Sequence, residues 1–167
     1  TGGPGSGKTS IIVRVLHELA SRGVPMADVA LVAPTGKAAQ RMRAAIEGAL
    51  AHLPDTSPAD RAVRDYPVPA TLHRLLGYSP STGRFRHHEN NRLAQAHVIV
   101  DEASMVDLAL AEQLVRSIRP GASLVLLGDD RQLPSVDAGQ PLRDLVSAAA
   151  RVPALAARLV SLSHSHR

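Results

Sequence analysis

The run Gly2-Gly3-Pro4-Gly5-Ser6-Gly7-Lys8-Thr9 matches the G-x-x-x-x-G-K-[ST] pattern in full, and no other feature of the sequence restricts the fold so tightly. The glycines let the backbone curl until successive N–H groups converge on a phosphate. A helix starting near Lys8 adds the positive end of its dipole. In that arrangement Gly3, Pro4, Gly5, Ser6 and Gly7 cradle the phosphates of a nucleotide such as ATP. Lys8 meets the β and γ phosphates, and the Thr9 hydroxyl ligates Mg²⁺. A Gly-rich turn capping a helix is the plainer alternative, but it leaves the placing of Lys8 and Thr9 unexplained.

Downstream, apolar strands and amphipathic helices alternate. Ile11, Ile12, Val15, Leu16 and Leu19 recur at helical spacing up to Gly23, and residues 29–33 then form a short apolar run ended by Pro34. Residues 36–53 turn helical again on the stripe Met42, Ile46 and Leu50. The same switch recurs as strand 97–100, helix 108–118, strand 123–127 and helix 142–149, with a further strand expected at 159–162. This order, following the phosphate loop, predicts an α/β fold of the P-loop NTPase kind, a parallel sheet with helices on both faces and polar chemistry where strands end. Residues 54–69 and 78–93, rich in Pro and Asp and in Arg and His respectively, read as surface excursions.

Composition narrows the class. The 167 residues suit one domain with a real core, and the 44% apolar share excludes a disordered or fibrous chain. No apolar run nears the roughly 18 residues that span a membrane, and no signal-peptide series opens the chain, so a cytoplasmic protein without a membrane partner is expected. The absence of Cys removes disulfides and thiolate metal sites. His87-His88 and the pair His164 and His166 lack the Cys or clustered carboxylates that would complete a zinc set. Of the 19 Lys and Arg residues only Lys8 and Lys37 are lysines, each directly after a glycine. A compact ammonium reaches a phosphate as a point charge, whereas chance placement of Lys37 remains the plainer alternative.

Hydrolysis needs a second pole. The apolar run Val98-Ile99-Val100 delivers Asp101 and Glu102 at its carboxyl end, Asp101 suited to the Mg²⁺ shell and Glu102 to orienting and deprotonating a water. A charge pair opening a helix is the alternative. The next strand ends in Gly128-Asp129-Asp130-Arg131-Gln132, where the Gln132 amide has the chemistry to bond a γ-phosphate oxygen or the water; an Asp-rich turn before Pro134 is the bland reading.

Taken in order, these residues resemble the motif series of superfamily 1 helicases of the RecD family. The series includes Ala-Pro-Thr-Gly-Lys-Ala-Ala at 33–39, Ala-Thr-Leu-His-Arg-Leu-Leu-Gly at 70–77, Val-Asp-Glu-Ala-Ser-Met-Val-Asp at 100–107, and Ser-His-Arg at 165–167. The resemblance implies an ATP-dependent, 5′-to-3′ motor on single-stranded DNA and DNA ends. It places Thr35, Lys37, Thr71 and His73 along the DNA, makes Gln132 couple the γ-phosphate state to DNA grip, and makes Arg167 stabilise transition-state charge. Without it, His73 reads as a partly buried helix residue and Arg167 as one more solvated Arg. The excursion Arg84-Phe85-Arg86-His87-His88 with Asn90 and Asn91 looks more like the members that assemble with RecB- and RecC-type subunits. Free-standing members and the helicase part of conjugative relaxases are the alternatives, and a non-motor nucleotide switch is the alternative outside the class. The aromatics Tyr66, Tyr78 and Phe85 offer little for stacking bases.

The phosphate loop lies at the very start of the sequence with no apolar run before it. Residues 1–167 therefore read as an N-terminal RecA-like ATPase domain incomplete at both ends, its first strand missing, which in isolation is expected to fold poorly and to hydrolyse ATP negligibly.

Overall fold

The computed structural model describes residues 8–129 and 139–160. Helix α1 (Lys8–Ser21) turns Ile12 and Leu16 fully inward, on the stripe expected from their spacing. Burying each is worth roughly 1.5–3 kcal/mol. Gly23, at φ 76°, takes the left-handed turn that stops the helix. Strand β1 (Val29–Ala33) is buried along its whole length, as a central parallel strand requires. Helix α2 (Gly36–Leu50) follows, shorter than its apolar pattern because residues 51–53 close it as a turn.

Residues 54–69 are more than the surface excursion their composition suggests. Helix α3 (Pro58–Ala62) and the 3-10 turn Val63–Asp65 pack against α1, with Val63 fully buried. Ser57 and Asp60 form a reciprocal capping box and Pro58 fits the first helical position, so a helix starts inside a Pro- and Asp-rich stretch.

Strand β2 (Ala70–Thr71) leads into helix α4 (Leu72–Leu76). Strands β3 (Tyr78–Ser79) and β4 (Arg84–Phe85) then make a small antiparallel ribbon outside the main sheet. Strand β5 (His97–Val100), helix α5 (Leu108–Ser117), strand β6 (Ser123–Leu126) and helix α6 (Pro141–Ala149) complete the alternation. A last short helix, α7 (Pro153–Ala156), precedes the expected strand at 159–162, which is not found in its described part. The Leu159 amide bonds back to Ala156 O at 3.2 Å, Val160 is exposed, and residues 161 and 162 lie outside the described residues.

The main sheet runs β2-β1-β5-β6 with every pairing parallel. Alternate residues feed opposite faces. Leu31, Ile99 and Val125 pack with α1 and α2, while Val32, Val98, Val100 and Leu124 pack with α4, α5 and α6. The fold is the expected three-layer α/β sandwich, and the residues that follow β1, β5 and β6 meet along one edge.

Candidate active site

At that edge the ladder continues past the strands. The Asp101 amide donates to Val32 O at 2.9 Å, Leu127 N to Val100 O at 2.8 Å, and Ala103 N to Leu127 O at 2.8 Å. Asp101 and Glu102 are thereby fixed between the backbones of β1 and β6, both half-buried. Glu102 has φ 52° and ψ 37°, the left-handed conformation, and among the described residues no other non-glycine has positive φ. Holding a glutamate there costs about 1 kcal/mol, and such strain gathers at functional sites. Its amide donates to Asp101 Oδ1 at 2.9 Å, so one carboxylate braces the turn that presents the next.

After β6 comes Gly128, where a side chain would have to push its neighbours aside. A Cβ there would lie 2.5 Å from Leu142 Cδ2 and 3.0 Å from Ser104 N. The close approach sets Asp129, only 6% exposed, at the end of the strand that neighbours the acidic couple. The Ser104 hydroxyl is buried with no hydrogen-bond partner among the described residues. Nothing in the motif pattern marks Ser104; the one sequence signal is a hydroxyl two residues after Glu102, in the turn that follows β5.

Helix α1 enters β1 through the turn at 22–28 and packs on the sheet through Ile12 and Leu16. It therefore runs against the strands, and its Lys8 end lies toward the edge that carries Asp101. Gly3, Pro4, Gly5, Ser6, Gly7, Gln132, Arg167 and the side chains of Lys8 and Thr9 lie outside the described residues. The donors at hand, carboxylates and hydroxyls, are the hard oxygens that suit magnesium. No group of three His, Cys, Asp or Glu able to hold a metal occurs among the described residues. A magnesium that shares phosphate oxygens needs only one or two carboxylates.

The residues expected along DNA reach the same edge. Thr35 caps α2, its Oγ1 accepting the Ala38 amide at 3.2 Å, and Lys37 is exposed in the first turn of that helix. Thr71 pairs with Ala33 across β1 and β2 and caps α4, its Oγ1 accepting the Arg74 amide at 3.1 Å. His73 is exposed on α4, so the partly buried reading does not hold.

A parallel sheet covered on both faces, with a phosphate-loop motif opening its first helix, defines a RecA-like P-loop α/β domain. The model of the AAA domain family matches residues 1–138. The chain is 46% identical over 172 residues to the RecBCD enzyme subunit RecD of Mycobacterium tuberculosis, covering 100% of this chain and 29% of that protein. It is 40% identical over 149 residues to the ATP-dependent RecD2 DNA helicase of Deinococcus radiodurans, covering 89% of this chain and 18% of the helicase. A third relative, the RecBCD enzyme subunit RecD of Haemophilus influenzae, is 38% identical over 87% of this chain and 23% of its own length. The chain belongs to the AAA domain family. It spans less than a third of the length of these relatives.

Among the described residues, no helix is long and apolar enough to cross a membrane.

Proposed function

We propose that this chain is the RecA-like ATPase domain of a cytoplasmic 5′-to-3′ DNA helicase. The favoured whole is the RecD (alpha) subunit of a RecBCD-type exodeoxyribonuclease V, acting with RecB- and RecC-type subunits on DNA ends in double-strand break repair. One observation carries the reading: Asp101 and Glu102 are locked between the ends of β1 and β6, with Glu102 held in a left-handed turn. A structural charge pair has no need of that strain. The 46% identity along the whole chain supports the RecD assignment. The 40% identity to the RecD2 helicase keeps a free-standing helicase as the second reading. The short coverage of the relatives supports reading residues 1–167 as one domain of a longer protein.

In this reading the loop of Gly3 to Gly7 holds the ATP phosphates and Lys8 neutralises the β and γ oxygens. Thr9 and Asp101 would hold Mg²⁺, which supplies charge neutralisation across the phosphates when bound. Glu102 orients a water and takes its proton, Gln132 senses the γ-phosphate, and Arg167 offsets charge developed in transfer. Thr35, Lys37, Thr71 and His73 hold single-stranded DNA on the same edge, so one set of strand ends serves both ligands. The test is ATPase and unwinding by the full-length protein with and without single-stranded DNA. DNA-stimulated turnover that vanishes in Lys8→Ala is expected. Turnover indifferent to DNA would instead identify a non-motor nucleotide switch.

A further inference from the structure

The sequence offered few aromatics, and the fold gathers two of them beside His73. Tyr78 and Phe85 stand directly opposite each other across β3 and β4, with ring centroids 5.1 Å apart. His73, from α4, meets Tyr78 edge-on at 5.3 Å and lies over Phe85 at 5.9 Å with the planes 33° apart. These separations fall in the range of favourable ring pairs.

Local chemistry builds the cluster. Gly77 ends α4 at φ 66°, and a Cβ there would lie 2.7 Å from Arg86 Cβ. Only glycine lets the chain turn from α4 straight into β3 and lets the returning strand pass so close. Arg86 N then donates to Gly77 O at 3.1 Å and His87 N to Leu76 O at 3.0 Å, sealing the ribbon to the helix. The ribbon is also tied to α5, because Gln113 Nε2 and Ser117 Oγ both donate to His87 O, at 2.6 and 2.9 Å.

Packing does not account for the outer rings. Phe85 is half-buried against the core, yet Tyr78 remains 39% exposed and His73 is exposed. The stretch of chain that carries the rings is cationic: from Tyr66 to His88 the sequence holds no Asp or Glu, but it holds Arg74, Arg84 and Arg86. All three are exposed, and no ion pair among the described residues engages them. An exposed π-surface in a stretch of chain without carboxylates matches a stacked base of a phosphate-bearing strand.

We infer that Tyr78 and His73, backed by Phe85, form a stacking platform for a nucleobase of single-stranded DNA. This rests on the DNA-motor reading above, which already sets His73 on the strand, and adds a base contact by Tyr78 which that reading does not include. A platform reads the π-face rather than base edges, so it grips without sequence preference, as a translocating motor requires.

The test uses the full-length protein and two oligonucleotides of equal length, one ordinary and one carrying abasic sites, with affinity measured by fluorescence anisotropy. Wild type should bind the ordinary strand more tightly. Tyr78→Leu, which keeps apolar bulk without a ring, should lose about tenfold on the ordinary strand and nothing on the abasic one; Tyr78→Phe should behave as wild type. Equal affinity of wild type for both strands would overturn the platform without involving any variant. So would a Tyr78→Leu loss that is the same on both, the mark of a merely structural ring. Wild type that binds neither strand would sink the DNA-motor reading itself, and the platform with it.

Discussion

Thr35 and Thr71 do the same work at the ends of two paired strands, each hydroxyl oxygen accepting the amide three residues on, at 3.2 Å from Ala38 and 3.1 Å from Arg74. Accepting that amide leaves each hydroxyl its own O–H to donate to a phosphate. Losing the cap in Thr35→Ala should lower the unfolding free energy of the full-length protein by about 1 kcal/mol and also weaken single-strand binding. Thr35→Ser keeps oxygen and proton and should restore both. Denaturant titration and oligonucleotide binding check the pair. A serine variant with alanine-like DNA affinity would remove the hydroxyl from the contact.

Strain at Glu102 separates its role in folding from its role in chemistry. In the full-length protein Glu102→Gln should retain ATP and lose hydrolysis. Glu102→Gly should likewise fail to turn over, yet be about 1 kcal/mol more stable than Glu102→Ala, since glycine adopts φ 52° without the Cβ conflict. Single-turnover hydrolysis and thermal unfolding measure the two effects. Equal loss of ATP binding and hydrolysis in Glu102→Gln would argue against the general-base role.

Lys37 is exposed in the first turn of α2 and makes no ion pair among the described residues. Lys37→Ala should weaken single-strand binding and reduce the slope of log affinity against log salt by about 0.7, the value for one phosphate contact on a single strand. ATP affinity without DNA should not change. An unaltered salt slope would assign Lys37 to the solvated surface.

What was legible in the sequence was whatever periodicity or a motif writes locally. The strands 29–33 and 97–100, and the helices begun by Lys8 and Leu108, follow from apolar spacing and stop signals, and so does the meeting of β1, β5 and β6 at one edge. What escaped depends on contacts between distant segments. Residues 54–69 looked like loop because Pro58 and Asp60 read as breakers, although there they start α3 and Val63 seals it to the core. The clustering of His73 with Tyr78 and Phe85 hangs on one positive-φ glycine, and composition alone made the aromatics look too few to matter. Glu102 was readable as a carboxylate after a strand, but its left-handed backbone was not, because glutamate carries no such preference.

Gly77 provides a test of that long-range assembly. Gly77→Ala places a methyl 2.7 Å from Arg86 Cβ at φ 66°, so both the turn and the ribbon's approach are strained. The variant should lose about 1–3 kcal/mol of stability. The ribbon's contacts with α4 should loosen, seen as faster hydrogen exchange of the Arg86 and His87 amides than of the β5 amides. Gly83, at φ 64° with no atom near its missing Cβ, is the control: Gly83→Ala should cost only the backbone term, about 1 kcal/mol.

Asp60 is 5% exposed and ties α3 to the helix that begins with Lys8. Its Oδ2 accepts from Ser57 N at 2.8 Å, Thr56 Oγ1 at 3.0 Å and Thr56 N at 3.1 Å, and its Oδ1 lies 2.9 Å from His17 Nε2. Hydrogen bonding from Ser57 above all, against the opposing effect of burial and with help from His17 and Thr56, holds its carboxyl well below the ordinary 3.8. A carboxyl depressed in the folded state binds its proton more weakly there than in the unfolded chain. Its contribution to stability is therefore complete above pH 3.8 and is lost as pH falls below that value toward the folded pKa. Denaturant midpoints of the full-length protein should fall through this acid window. In Asp60→Asn, which cannot titrate, the fall should be shallower and the midpoint at neutral pH lower. Parallel pH curves for the two proteins would mean that Asp60 carries no linkage.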